Sequence, residues 1–408
     1  MNLALIFILL VVFVNYMGMG LIYPIFASLL FDTSLGFVPA EATSLFRGFV
    51  LGVLLALMPL MQFFFSPYLG KKSDQIGRKK ILTTCLALST VGYLVSVWGI
   101  YTHSLLAMVI FRVLLGISGA SVAIVQAILI DMSSDNKAKN LSLFNMAMGA
   151  GYALGPFIGG FFSSDNALFK GSIVYPFIFG LLFTVLNLSL VKKYFYETKK
   201  TDRPISYSKL SFNLKSPQIR NLFACTFIFS FGWSFFFEFL PVFLIGQYEY
   251  NPFQIGNFYG YASLFYMLSS GFLVQPLISK IKSQSLLLLS LILSGVYLLL
   301  FYCIGNPSIL WFYVPILAYL VSIVFPTTSY LMSNLTDKDK QGRALGSLVA
   351  VQSIAFAISP LFSGFLVGIH HGTPIFLGAL AFIFAGVLYG YQCWSSQDST
   401  QEEFEDIS

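Results

Sequence analysis

The sequence predicts an all-α membrane protein of 12 transmembrane helices, arranged as two pseudo-symmetric six-helix bundles. Composition is the first reason. Of 408 residues, 57% are hydrophobic and only 10% charged, against about 25% charged in a soluble domain. The apolar runs also continue all the way round a helix, where a soluble helix keeps a polar face. The second reason is that twelve apolar segments are each long enough to cross about 30 Å of hydrocarbon. The third is that the basic residues sort to one side of those segments.

In chain order the spans lie near residues 4–31, 47–69, 80–101, 104–130, 140–163, 172–192, 218–245, 253–279, 285–305, 308–333, 342–368 and 372–392. The first lacks a basic leader and a small-residue cleavage site and is too long for a signal core, so it reads as a retained helix. Spans 3 and 4 are divided only by Tyr101-Thr102-His103-Ser104, and spans 9 and 10 by Gly305-Asn306-Pro307. Those two boundaries rest on turn chemistry. Between spans 2 and 3, Gly70-Lys-Lys-Ser-Asp-Gln-Ile-Gly-Arg-Lys-Lys80 carries five basic residues and one acid. It reads as a tight charged loop in which Gly70 and Gly77 supply the reversal.

Taking the amino terminus as inside, 20 of the 23 Lys and Arg fall in inward-facing connections. The opposite side holds Arg47 and Lys170, and Arg112 lies within a span. This is the positive-inside pattern for an even number of spans with both termini in the cytoplasm.

The longest polar stretch divides the spans six and six. The expected domains are a first bundle over 1–192, a cytoplasmic linker over 193–217, a second bundle over 218–393 and an acidic, solvated tail over 394–408. Weak internal symmetry supports the halves. Asp135 precedes Pro156 by 21 residues, Asp339 precedes Pro360 by the same number, and Pro24 in span 1 is matched by Pro241 in span 7. Four scattered cysteines lack CxxC or His spacing and read as apolar fillers. The adjacent His370 and His371 read as a solvated turn. No GxxxxGK[ST] loop is present, so ATP hydrolysis is unsupported. The net charge of +6 belongs to topology and does not point to nucleic acid.

Three motifs carry a family resemblance over nearly the whole chain. Gly70-x3-Asp74-x2-Gly77-Arg78-Lys79-Lys80 resembles the loop signature of the major facilitator superfamily. Arg112-x3-Gly116-x2-Gly119-Ala120 is similar to its buried-arginine motif. Gly151-x3-Gly155-Pro156-x2-Gly159-Gly160 resembles the motif of its antiporters. Within the family the chain is most similar to the twelve-span drug:proton antiporters, such as the tetracycline exporters.

The resemblance implies the major facilitator fold and transport by alternating access, with proton-coupled export of a small amphipathic or drug-like molecule. It also implies that Asp74, Arg78 and Asp131, with Gly70 and Gly77, form a cytoplasmic gate, and that the span 5 glycines and Pro156 shape a bent helix interface at the outer mouth. Where the antiporters often carry Asp, this chain has Asn15, which cannot release a proton, so a nutrient symporter is the alternative reading. A receptor or enzyme without transport is the third, and no nucleophile or metal cluster favours it.

The residues support their own readings beside the resemblance. At 1.5 Å per residue from His103, Arg112 sits about 13 Å into the membrane. A cation there costs roughly 2.5–3.5 kcal/mol, so it must meet a partner or a wet cavity. Asn15 in span 1 is at similar depth and is the expected facing group. A backbone carbonyl is the alternative partner. Glu238, within Phe235-Phe-Phe-Glu-Phe-Leu-Pro241, is the leading proton carrier, because aromatic burial raises a carboxyl toward the working range. Its place in the outer part of the span leaves open that it is wet and ordinary. No cofactor or metal is expected. The expected partners are a small-molecule substrate, protons and the lipid bilayer of a bacterial inner membrane, with the protein a monomer.

Overall fold

The computed structural model describes residues 3–132, 137–163, 170–197, 216–336 and 341–405. All regular structure among them is helical. Ten helices among the described residues are long and apolar enough to cross a membrane. The expected fifth and eighth spans coincide with Lys137–Ser163 and with Pro252–Leu268 continued by Val274–Lys280. A π turn over Ser269–Leu273 interrupts the eighth.

Span 1 is also in two pieces, Leu3–Leu21 and Tyr23–Phe31. Pro24 lacks the N–H that would continue the ladder, and it stands in the first turn of the second piece, where that loss is harmless. Caps mark the predicted turns. Thr43 and Ser104 accept hydrogen bonds from Phe46 N and Ala107 N, each at 3.3 Å. Before span 8, Asn251 and Gln254 cap each other reciprocally at 3.0 and 2.9 Å.

The Gly70 stretch departs from its expectation. Span 2 runs unbroken from Ser44 to Ile76, and span 3 begins at Arg78. Gly70 is therefore an ordinary helical residue with open space where a Cβ would go. The whole reversal is made by Gly77, whose φ of +103° is closed to residues with a side chain. The helix of span 12 runs from Thr373 to Glu405, through most of the acidic segment. Of the linker, residues 198–215 lie outside the described residues, as do Asp135 and Asp339.

By contacts the chain forms two compact units. The first is Met1–Ser206 with Pro241–Ser263 and Pro360–His371. Its core is aliphatic, with Ile8, Val12, Leu82, Leu86, Val125, Ile128 and Val191 buried between spans 1, 3, 4 and 6. Arg47 is 5% exposed and pins the loop after span 1, donating to the carbonyls of Leu30 at 2.5 Å and Pro39 at 2.7 Å. The second unit is Tyr207–Leu240, Leu264–Ser359 and Gly372–Ser408. There Phe229 of span 7 packs on Phe382 of span 12 (centroids 4.5 Å apart) and on Phe325 of span 10 (5.3 Å). Gly232 lets the backbones of spans 7 and 12 close together at Gly378.

Candidate functional site

Arg112 is 2% exposed. Its Nε donates to Leu54 O at 2.6 Å, its Nη2 to Leu55 O at 2.8 Å, and its Nη1 approaches Met58 Sδ at 3.3 Å, all on span 2. The reason lies four residues on. Pro59 has no N–H, so the Leu55 carbonyl has lost its helical donor, and the guanidinium replaces it. Gly116 and Gly119 stand one and two turns beyond Arg112 on the same face. A Cβ at Gly116 would lie 2.7 Å from Met58 O, and one at Gly119 2.2 Å from Gln62 Nε2. The motif spacing is thus a single face of span 4 pressed on span 2. The described hydrogen bonds of Arg112 follow the backbone-carbonyl alternative.

Asn15 lines a cavity of about 20 Å3 inside the first unit. Ser89, Tyr93, Ser118, Ser121 and Thr184 line it as well. Ser118 donates to Cys85 O at 2.7 Å and is hydrogen-bonded to Ser89. Tyr93 reaches over Gly18, where a Cβ would meet its hydroxyl at 2.3 Å. One turn past Thr184 is Asn187, 0% exposed, whose amide finds no protein partner among the described residues. Sequence reading missed this polar centre. Serines scattered through apolar spans look alike until helix rotation is known, and only Thr184-x2-Asn187 offered a signal.

Glu238 is 9% exposed, so it is not the wet surface acid that its outer position allowed. It ends a row of polar side chains at four-residue spacing, with Thr226 and Ser234 each 1% exposed and Ser230 0% exposed.

At the loop signature, the Glu197 carboxylate accepts from Arg78 N at 3.0 Å and Lys79 N at 3.1 Å. It caps the start of span 3, where orphan N–H groups favour an anion. A Cβ at Gly77 would stand 2.6 Å from Glu197 Oε2, so the glycine permits both the reversal and the cap. Lys79 Nζ donates to Lys192 O at 2.9 Å. Glu197 follows the end of span 6, and nothing in its local sequence marked it. The side chains of Asp74 and Asp131 lie outside the described residues.

The span 5 motif divides between two neighbours. Cβ atoms at Gly151, Gly155 and Gly159 would fall 2.7, 2.6 and 2.4 Å from the carbonyls of Phe13, Met17 and Leu21 on span 1. Gly160 turns instead to span 8, where a Cβ would stand 2.3 Å from Pro252 O and 2.7 Å from the Gly256 Cα. Span 2 meets span 11 the same way. Gly48 and Gly364 face each other, and Gly52 lies against the Pro360 carbonyl. Both seams are at the ends of the spans opposite Gly77.

Long apolar helices closely paired through backbone contacts define a multi-pass membrane protein. The chain belongs to the Major Facilitator Superfamily, whose profile it matches over residues 8–325. It is 25% identical over 405 residues to the class H tetracycline resistance protein of Pasteurella multocida, covering 95% of this chain and 94% of the relative. It is 27% identical over 392 residues to the quinolone resistance protein NorA of Staphylococcus aureus, covering 92% and 93%. Among solved structures, a bacterial homologue of the lysosomal transporter Spinster matches with a TM-score of 0.75 at 12% identity, covering 95% of this chain and 96% of that one. A D-xylose-proton symporter matches with a TM-score of 0.69 at 14% identity, covering 95% and 97%. Those two likenesses concern the fold alone.

Proposed function

We propose that this protein exports a small amphipathic, drug-like molecule in exchange for protons, by alternating access, from a bacterial inner membrane with both termini in the cytoplasm. The observation that carries the reading is Glu238, a carboxyl side chain buried in an aromatic segment of span 7. A carboxyl held in that setting is the group a proton-driven cycle needs. Export is favoured by the tetracycline- and quinolone-resistance relatives.

Each structural part has a role in the proposed cycle. Arg112 holds span 2 at its proline break. Gly77, Arg78 and Asp74, with Asp131 and the Glu197 cap, form the cytoplasmic gate. The glycine seams of spans 5 and 8 and of spans 2 and 11 form the outer one. The protein works as a monomer.

Proton-coupled uptake of a nutrient is the second reading. Asn15 favours it, being an amide where an exporter of this kind often has an acid.

Proteoliposomes loaded with a pH-sensitive dye decide between the two. For the exporter, tetracycline or a quinolone moving one way drives protons the other, and Glu238→Gln abolishes the exchange while ligand binding persists. Protons travelling with the solute would select symport, and unchanged exchange in Glu238→Gln would remove that residue from the mechanism.

A further inference from the structure

Thr226, Ser230, Ser234 and Glu238 occupy successive turns of the span 7 helix, Pro217–Tyr248. All four are at least nine-tenths buried. The hydroxyls of Thr226, Ser230 and Ser234 have no hydrogen-bond partner among the described residues. Several other buried Ser and Thr side chains in the spans turn back onto their own helix, as Thr184 does to Gly180 O at 2.8 Å, Ser290 to Leu287 O at 3.0 Å, and Thr327 to Ile323 O at 2.7 Å. Ser347 and Ser363 of span 11 are also buried without a partner among the described residues, but they are not in successive turns. The three on span 7 forgo that bond in consecutive turns. The rings described along the same helix, such as Phe229, Phe231 and Phe235, offer a hydroxyl no good acceptor.

Buried polar groups are almost always hydrogen-bonded, to protein or to ordered water. Side chains four residues apart on a helix are separated by about 5–6 Å. One water making two hydrogen bonds of about 2.8 Å spans that distance. We infer that the row is a bound-water track: a single file of water threaded between Thr226, Ser230 and Ser234 and ending at Glu238. Its length is about 18 Å, from twelve residues at 1.5 Å each. It begins about 13 Å from Pro217 and runs outward along the middle of the span to the acid in its outer part.

The file conducts protons without any hydroxyl titrating. Each oxygen takes a proton from the water before it, forming one O–H bond, and releases its own to the water after it, breaking one. A single proton leaves the Glu238 carboxyl, breaking its O–H bond, and moves along the file toward Thr226, the inward direction that exchange for an exported solute requires; the hydroxyls return to their starting form as they reorient. This transport role rests on Glu238 as proton carrier, as proposed above; the presence of water does not.

The test uses the full chain in lipid nanodiscs. Brief X-ray radiolysis turns bound water into hydroxyl radicals that label adjacent side chains, and peptide mass spectrometry reads the label. In the wild type, Phe229 and Phe235 should be labelled despite their burial. Ser230→Ala with Ser234→Ala should cut the label at least fivefold, leave the Tm unchanged or lower, and slow proton-driven flux of tetracycline at least tenfold. Unlabelled wild-type span 7 would overturn the track. So would a Tm several degrees higher in the double variant, the response expected when dry, unpartnered hydroxyls are removed. Labelling that responds to the variants in a protein lacking proton-driven flux would keep the track and reject Glu238 as carrier.

Discussion

Arg112 and Pro59 form a pair that a double-mutant cycle can isolate. Arg112→Met removes the charge and keeps most of the side-chain volume, but it strands the Leu55 carbonyl that Pro59 cannot serve. Leaving a buried acceptor unsatisfied costs about 1–3 kcal/mol. Losing a charge-assisted hydrogen bond such as that to Leu54 O costs about 1.5–3 kcal/mol. Against these stands the roughly 2.5–3.5 kcal/mol no longer needed to hold a cation in the bilayer. The single variant should therefore be destabilised modestly, by about 1–2 kcal/mol. Pro59→Ala restores an N–H four residues beyond Leu55, so in the Arg112→Met background it should recover most of that loss. The expected coupling is about 1–3 kcal/mol. Reversible unfolding in mixed detergent micelles, with helicity followed by circular dichroism, supplies all four corners of the cycle. A coupling below about 0.5 kcal/mol would refute the clamp. If the double variant regains stability and also flux, Arg112 acts through the shape of span 2; stability without flux would give the guanidinium a further part in transport.

Three more predictions follow the same logic. Gly160→Leu drives a side chain into the Pro252 carbonyl and the Gly256 backbone; it should insert normally yet lose at least tenfold in flux, and cysteine accessibility at the neighbouring Phe253 position should rise, whereas wild-type flux would show that the seam does not gate. Gly77→Ala places a methyl at φ +103° and against Glu197, so it should cost more than Gly70→Ala, which meets open space, and equal Tm values for the two variants would contradict the single-residue reversal. His371, outside the spans, has its pKa held below the ordinary 6.5 by partial burial and then by His370. The unfolded chain therefore binds its proton more readily, so acidifying through and below about pH 6.5 should lower the Tm, and His371→Gln should flatten that slope; an unchanged slope would place the acid sensitivity elsewhere.

Much of the fold was legible because lipid imposes simple rules. Length and hydropathy located the spans. The sites were legible only as far as a residue's cost betrayed it. Arg112 had to be partnered, but the identity of its partner depended on a proline 53 positions away, a relation visible only once spans 2 and 4 were side by side. Gly70 and Gly77 look alike in sequence, and only backbone torsion separates the helical one from the turn. Glu197 carried no local signal and Asn187 only its spacing from Thr184: a carboxylate becomes a cap, and an amide a buried group, through contacts made by other segments. Glu238 stood out among aromatics, while the hydroxyl row leading to it emerges when residues are read four at a time.

The meeting of Gly160 with Gly256, and of Gly48 with Gly364, bears on how fast such a protein could cycle. Closures built from interlocking side chains must change rotamers before they part. At these glycines main chain rests on main chain, with a few side chains such as Phe161 against Phe253 beside it, so fewer rotamers need to change for the seams to part. The joint resists a bulky intruder firmly and yet separates along a smooth path, which suits a machine that must reverse the same movement in every turnover.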